Sequence, residues 1–248
     1  MSKTADKQSV CLTIGGSDSC GGAGIQADLS VFHDFGVHGC SAITALTAQN
    51  PIEIRRIEPV PLVQLDAELQ TLFDYYDVAV VKTGMLVDVE HIAVVSALLQ
   101  GLHHGALIVD PVMVASSGTR LLGESGVDTV VKSLLPMATL VTPNLHEAAF
   151  FLAEEITDPL AAVTLLADRL ECAVLLKGGH ADGELLVDLL CDEYGVISEF
   201  SHAKQLWSVS KTHGTGCRLA SAIAAAMAQK QPLAQAVGTA INYLQKRN

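Results

Sequence analysis

The sequence predicts an α/β protein with a mostly parallel central sheet and helices on both faces. Three observations carry this. Strand-like and helix-like runs alternate from end to end. The strand-like runs are continuously apolar, as strands covered on both faces must be. Half the residues are hydrophobic but only 4% are aromatic, so the core is aliphatic. No linker, low-complexity tract or internal repeat cuts the chain, so one domain over residues 1–248 is expected, with the polar residues 1–9 as a loose lead-in.

The elements follow in order. Val10–Ile14 is an apolar run closed by Gly15 and Gly16, a first buried strand. Gly24–Phe35 puts Ile25, Leu29 and Phe32 on one helical face and stops at Gly36. Cys40–Thr44 is the next strand, and the charged, alternating Ile52–Val60 reads as an edge strand. Pro61–Phe73 is a helix with leucines at three- and four-residue spacing and proline at its start. Val78–Val81 is a β-branched strand, Val89–Leu102 an amphipathic helix, and Leu107–Asp110 a strand ended by Pro111. Val127–Leu135 reads as helix and Leu140–Thr142 as a strand ended by Pro143. Leu160–Leu170 is helical, and Ala173–Lys177 is a strand ended by Gly178 and Gly179. Leu185–Cys191 and Val196–Phe200 form a strand pair around Tyr194 and Gly195. Two helices, Cys217–Gln229 and Leu233–Gln245, close the chain.

Composition excludes several classes. Fifteen basic against 27 acidic residues give a net charge of −12, the wrong sign for a nucleic-acid partner. Mean hydropathy is +0.38, far above that of a disordered chain. No apolar run reaches the roughly 18–20 residues of a membrane span. The start has neither the apolar stretch of a signal peptide nor a transit pattern. Six cysteines without CxxC or zinc spacing read as free thiols in a reducing, cytoplasmic setting.

In such folds ligands bind beyond the C-terminal ends of the strands. The polar groups there are Asp18, Gln49 and Asn50, the Lys82–Met85 stretch, Asp110, Asn144 with Glu147, Lys177, and the segment His213–Cys217. Gly214-Thr215-Gly216 precedes an Ala-rich helix. Flexible glycine backbone and a positive helix N-terminus together make an anion pocket for a transferring phosphoryl group; the alternative is a plain capping turn. Cys217 at that helix start is expected to have a depressed pKa, or else to pack the helix start. Asp110 and Glu147 are candidates for holding Mg²⁺ through waters, against a turn residue and a first-turn helix acid. Lys177 suits a nucleotide phosphate, or is a solvated lysine. Asp28, four residues after Gly24, is a candidate acceptor for an amine or hydroxyl of a small substrate, or a surface helix residue. Neither a Walker A sequence nor GxGxxG after the first strand is present. The histidines at 33, 38, 91, 103, 104 and 146 lack ligand spacing.

Seven blocks in order then carry a resemblance: LTIGGSDSCGGAGIQAD at 12–28, GCSAITALTAQN at 39–50, VKTGML at 81–86, VDPVMVASSG at 109–118, LVTPNLHEA at 140–148, LLKGGH at 175–180 and KTHGTGC at 211–217. They resemble hydroxymethylpyrimidine/phosphomethylpyrimidine kinases, the thiamine-pathway members of the ribokinase-like superfamily. The resemblance implies a three-layer ribokinase-like fold. It also implies ATP- and Mg²⁺-dependent phosphorylation of 4-amino-5-hydroxymethyl-2-methylpyrimidine, then of its monophosphate, by a homodimer. Asp28, Gln49, Met85 and Gly16 match the family's pyrimidine pocket. Asn144, Glu147, Lys177 and Thr212 match ATP-binding positions, and Asp110 with Glu147 match the metal positions. Gly214, Thr215 and Gly216 match the anion hole, and Cys217 matches the catalytic position.

Three departures stand out. Arg218 replaces a small hydroxyl residue, so a cation stands in the first turn beside the phosphoryl pocket, free to meet a phosphate, an acid or solvent. The stretch between Cys191 and Trp207 is short, which leaves the adenine side more open. The chain stops at Asn248, short of the tail of many relatives. The competing readings are a pyridoxal/pyridoxine kinase of the same superfamily and a non-catalytic pyrimidine sensor.

Overall fold

The structure, a computed structural model, describes residues 8–115, 118–182, 185–204 and 212–246. Most of the lead-in, Ser116 and Ser117 of the fourth block, and the segment carrying Trp207 and Lys211 lie outside the described residues.

One nine-stranded sheet runs through the molecule in the order β3-β2-β1-β4-β5-β6-β7-β8-β9. The strands are β1 Val10–Asp18, β2 His38–Gln49, β3 Ile54–Pro59, β4 Val78–Thr83, β5 Ala106–Val109, β6 Leu140–Val141, β7 Ala173–Asp182, β8 Leu185–Cys191 and β9 Ile197–Ala203. The pairs from β2 through β1, β4, β5 and β6 to β7 are parallel. The charged edge strand β3 pairs antiparallel to β2, and β8 and β9 close the other side antiparallel.

The helices are α1 Gly24–Asp34, α2 Leu62–Tyr75, α3 Val89–Leu102, α4 Glu124–Thr129, α5 Leu145–Leu152, α6 Pro159–Leu170, α7 Thr215–Ala228 and α8 Leu233–Lys246. Alternation along the strands builds two cores. Leu12, Ile14, Val81, Leu107, Val109, Val174 and Leu176 face α2, α3 and α6, whereas Cys11, Val80, Ile108, Ala173 and Leu175 face α1, α7 and α8. The alanines of α7 at 220, 222, 224, 225 and 226 are sealed from solvent, so the helix after Gly214 lies tight against the sheet.

Four expectations need correction. β1 does not stop at Gly15-Gly16 but runs to Asp18, with a register irregularity between Gly15 and Ser17. The glycine there makes room: a Cβ on Gly16 would meet Met85 Sδ at 3.2 Å. Likewise β7 continues past Gly178 to Asp182. The helix expected at Val127–Leu135 starts at Glu124, passes through a π-helical turn at Val130–Leu134 and ends in a 3₁₀ turn holding Pro136. The short α5 was not anticipated from hydrophobic periodicity; its start is fixed by a reciprocal cap between Asn144 and Glu147. No helix among the described residues is long and apolar enough to cross a membrane.

Candidate active site

The C-terminal ends of β1, β2, β4 and β5 and the N-terminus of α7 surround a cavity of about 340 Å³. On one side lie Gly16, Asp28, Gln49 and Met85. On the other lie Asp110, Asn144, Glu147 and Lys177. Gly214, Thr215, Gly216 and Cys217 line it between them. Thr212 lines an adjoining cavity of about 380 Å³, which Lys177, Thr215 and Gly216 border as well. The structure therefore brings every sequence-predicted site residue to one connected rim.

Gly214 starts α7 with φ +79°, a left-handed conformation that favours glycine. A Cβ there would lie 2.1 Å from the Gly22 carbonyl oxygen, so the loop after β1 and the start of α7 meet backbone to backbone. Gly216 is different: an added Cβ would sit in open cradle, 3.5 Å from Lys177 Nζ and 3.8 Å from Asp110 Oδ2. Thr215 turns its hydroxyl onto the Thr212 carbonyl at 3.1 Å. The helix start has no side-chain cap, and its residues Gly214–Cys217 line the cavity.

Asp110 is buried, and its Oδ1 accepts from Lys177 Nζ at 3.2 Å and from Thr142 Oγ1 at 3.3 Å. Burial opposes the charge on Lys177, but Asp110 and Glu147 beside it hold its pKa above the ordinary value. Glu147 caps α5: its Oε2 accepts the Asn144 N–H at 2.9 Å, and the Asn144 side chain accepts the Glu147 N–H at 2.9 Å. Burial pushes the Glu147 carboxyl up to about 7; Lys177 pulls it down and Asp110 up. The bland reading of Glu147 as a first-turn helix acid is thus also true. Asp110 and Glu147 offer hard oxygen donors beside a cation. That set suits Mg²⁺ held mainly by waters and nucleotide phosphates rather than caged by protein.

Cys217 does not have the depressed pKa expected of a thiol at a helix start. Burial pushes it up to about 11, outweighing Lys82, which favours the thiolate, and aided by Asp110 and Asp28. Asp28 is deeper than an exposed helix acid: its carboxylate takes Lys82 Nζ at 2.8 Å and Thr13 Oγ1 at 2.6 Å on Oδ2, and Ser221 Oγ at 2.7 Å on Oδ1. Lys82 is itself fully buried; burial opposes its charge, yet the Asp28 carboxylate holds its pKa above the ordinary value. Its role was missed. The signal was a lysine ending the apolar run Val78–Val81.

Asp18 and His213 are both expected at the rim, but their pairing is not legible in the sequence. His213 Nε2 lies 2.8 Å from Asp18 Oδ2, and Asp18 also accepts backbone N–H groups from Cys20 at 3.0 Å and Ala23 at 2.8 Å. Burial works against the Asp18 charge, but these donors hold its carboxyl below the usual range. Arg218 is half-buried and donates to the Gly22 carbonyl at 3.3 Å, so it reaches back to the loop after β1.

Comparison with known proteins shows the family of the chain. The family described as phosphomethylpyrimidine kinase matches residues 18–247. The chain is 41% identical to a hydroxymethylpyrimidine/phosphomethylpyrimidine kinase of Rhizobium meliloti, over 95% of this chain and 88% of that one. It superposes on a phosphomethylpyrimidine kinase from Clostridium difficile with a TM-score of 0.83 and 32% identity, covering 96% of this chain and 99% of the other. A pyridoxal kinase from Staphylococcus aureus in complex with AMP-PCP and pyridoxal also gives a TM-score of 0.83, at 29% identity, covering 96% and 87%.

Proposed function

The chain belongs to the phosphomethylpyrimidine kinase family, and we infer from that premise how its own residues serve the reaction. It is an ATP-dependent, ribokinase-like kinase of thiamine biosynthesis that phosphorylates 4-amino-5-hydroxymethyl-2-methylpyrimidine and the resulting monophosphate.

In our reading the pyrimidine sits on the side of Gly16, Gln49 and Met85, with its hydroxymethyl group toward Cys217. The γ-phosphoryl lies on the amides of Gly214, Thr215, Gly216 and Cys217, where a helix N-terminus favours negative charge. Lys177 adds a positive charge against it, with Asn144 and Thr212 on the nucleotide side. The new P–O bond forms to the alcohol oxygen as the bond to the β-phosphate oxygen breaks, and ADP leaves. The transition state is loose, so positioning matters more than a strong base. A thiol with its pKa near 11 keeps its own proton at neutral pH, so Cys217 orients the hydroxyl rather than taking its proton, which passes late to an oxygen of the transferred phosphoryl group. Asp110 and Glu147 would hold the waters of a Mg²⁺ ion, which neutralises phosphate charge when bound.

Asp28 serves this site through Lys82 rather than by touching the ring, because its carboxylate already takes three donors. The exposed Leu46 and Ile52 on the β2–β3 ribbon support a homodimer, and the unpaired cysteines support a cytoplasmic setting. One kinase unit over residues 1–248 fits the continuous sheet.

The observation that carries the reading is the open cradle at Gly216, between a lysine and a buried carboxylate at a helix start. The test is a coupled ADP-release assay with the pyrimidine alcohol, its monophosphate and pyridoxal side by side. Turnover of both pyrimidines above that of pyridoxal is expected. Faster turnover of pyridoxal hands the site to the pyridoxal/pyridoxine kinase reading, and binding without ADP release to the sensor.

A further inference from the structure

The Gln49 side-chain amide is held between two polar groups. Its nitrogen is placed 3.1 Å from His213 Nε2 and its oxygen 3.2 Å from Thr47 Oγ1. Each of those groups already has a fixed proton. Asp18 is an acceptor in contact with His213 Nε2 at 2.8 Å, so that nitrogen carries its hydrogen toward the carboxylate. The other ring nitrogen, Nδ1, is buried with no partner among the described residues, which suits a bare lone pair better than a second N–H. Thr47 has one hydroxyl hydrogen, and the Ser17 carbonyl, which can only accept, takes it at 2.9 Å.

Two conflicts follow if the amide nitrogen faces His213. Donor faces donor at that end, and at the other an amide oxygen faces the hydroxyl lone pairs of Thr47. Half a turn of the amide removes both together. The single His213 Nε2–H, directed at Asp18 at 2.8 Å, is then shared with the carbonyl oxygen at 3.1 Å as a second acceptor, and the NH₂ group donates to Thr47. The imidazole cannot swing away to accommodate the other state, because it is packed against Gly22, where an added Cβ would lie 2.4 Å from its Cδ2.

We infer that the Asp18–His213 pair is a positioning device that locks the Gln49 amide with Oε1 on His213 and Nε2 on Thr47, and that this lock sets substrate preference. The inference rests on Gln49 facing the substrate. The locked amide keeps one N–H and one oxygen lone pair for the cavity. A heterocycle with an amino group next to a ring nitrogen supplies the matching donor and acceptor. Pyridoxal has no amino group and does not.

The experiment has two arms on the intact protein. In isotope-labelled wild type, nuclear Overhauser contacts from the Gln49 NH₂ protons should reach the Thr47 methyl and not the His213 ring; the reverse pattern overturns the assignment. In kinetics, His213→Ala should raise KM for the aminopyrimidine alcohol about 10- to 50-fold with kcat within about threefold, because an oriented hydrogen-bond pair is lost. The preference for aminopyrimidine over pyridoxal should fall at least about tenfold. His213→Gln, which restores an N–H at that reach, should recover most of the preference. Equal losses on both substrates, or no recovery with glutamine, overturn the specificity claim. A wild type that does not phosphorylate the aminopyrimidine would sink the functional reading instead, while the spectroscopic arm still decides the orientation.

Discussion

Lys82 Nζ and Asp28 Oδ2 lie 2.8 Å apart, and both side chains are almost wholly sealed from solvent. The pair joins β4 to α1, and both charges act on the Cys217 thiol. Breaking one half leaves a buried charge unmatched, which costs about 3–5 kcal/mol. Asp28→Asn should therefore lower the unfolding midpoint steeply. Lys82→Met together with Asp28→Asn should recover most of that stability but not turnover, because the cation near Cys217 is gone. Chemical denaturation alongside steady-state kinetics separates the two. Recovery of activity in the double variant would make the pair purely structural.

Cys217→Ala should lower kcat by about 10²–10⁴ and change the KM for ATP little, as expected for a group at the reacting oxygen. The raised pKa gives a further check. Below about pH 11 the thiol is mostly protonated, so alkylation of Cys217 should speed up about tenfold per pH unit across the neutral range. The measurement needs a Cys20→Ser background, since Cys20 is exposed and reacts as well. Fast, pH-independent alkylation at pH 7 would show a stabilised thiolate instead.

Much of this is legible in the sequence because strands covered on both faces must be apolar throughout, as Val80–Val81 and Val174–Leu176 are. Gly16 misleads because a glycine packed against Met85 looks the same in the sequence as one that ends a strand. The order of polar residues at strand ends located the rim. It could not tell that Asp28 and Lys82 would neutralise each other, nor that His213, 195 residues from Asp18, would meet it. Those pairings depend on how β1, α1, β4 and the start of α7 come together in space.

Glu147 should leave a pH signature in stability. Its folded pKa is raised to about 7, so its contribution is fully present below the unfolded value and is lost as pH rises through about 7. The wild type should lose of the order of 1–3 kcal/mol between about pH 4.5 and 7 relative to Glu147→Gln. Glutamine keeps the cap, since its carbonyl still accepts the Asn144 N–H. Parallel urea midpoints for the two proteins across that range would place the carboxylate in a solvated setting.

Arg218 brings the last prediction. A cation in the first turn of a helix opposes the dipole by about 0.3–1 kcal/mol. The structure shows what the guanidinium does there: Nη2 donates to the Gly22 carbonyl at 3.3 Å. Gly22 backs onto His213, so the arginine ties the loop after β1 to the start of α7 at the pyrimidine side of the cavity. Arg218→Thr removes one charge-assisted bond to backbone and should loosen that loop. KM should then rise about 3- to 10-fold for the pyrimidine alcohol and its monophosphate alike, with the KM for ATP unchanged. Assaying the two phosphorylations separately decides it. A rise confined to the monophosphate would mean that the guanidinium leaves Gly22 and grips the substrate phosphate in the second step.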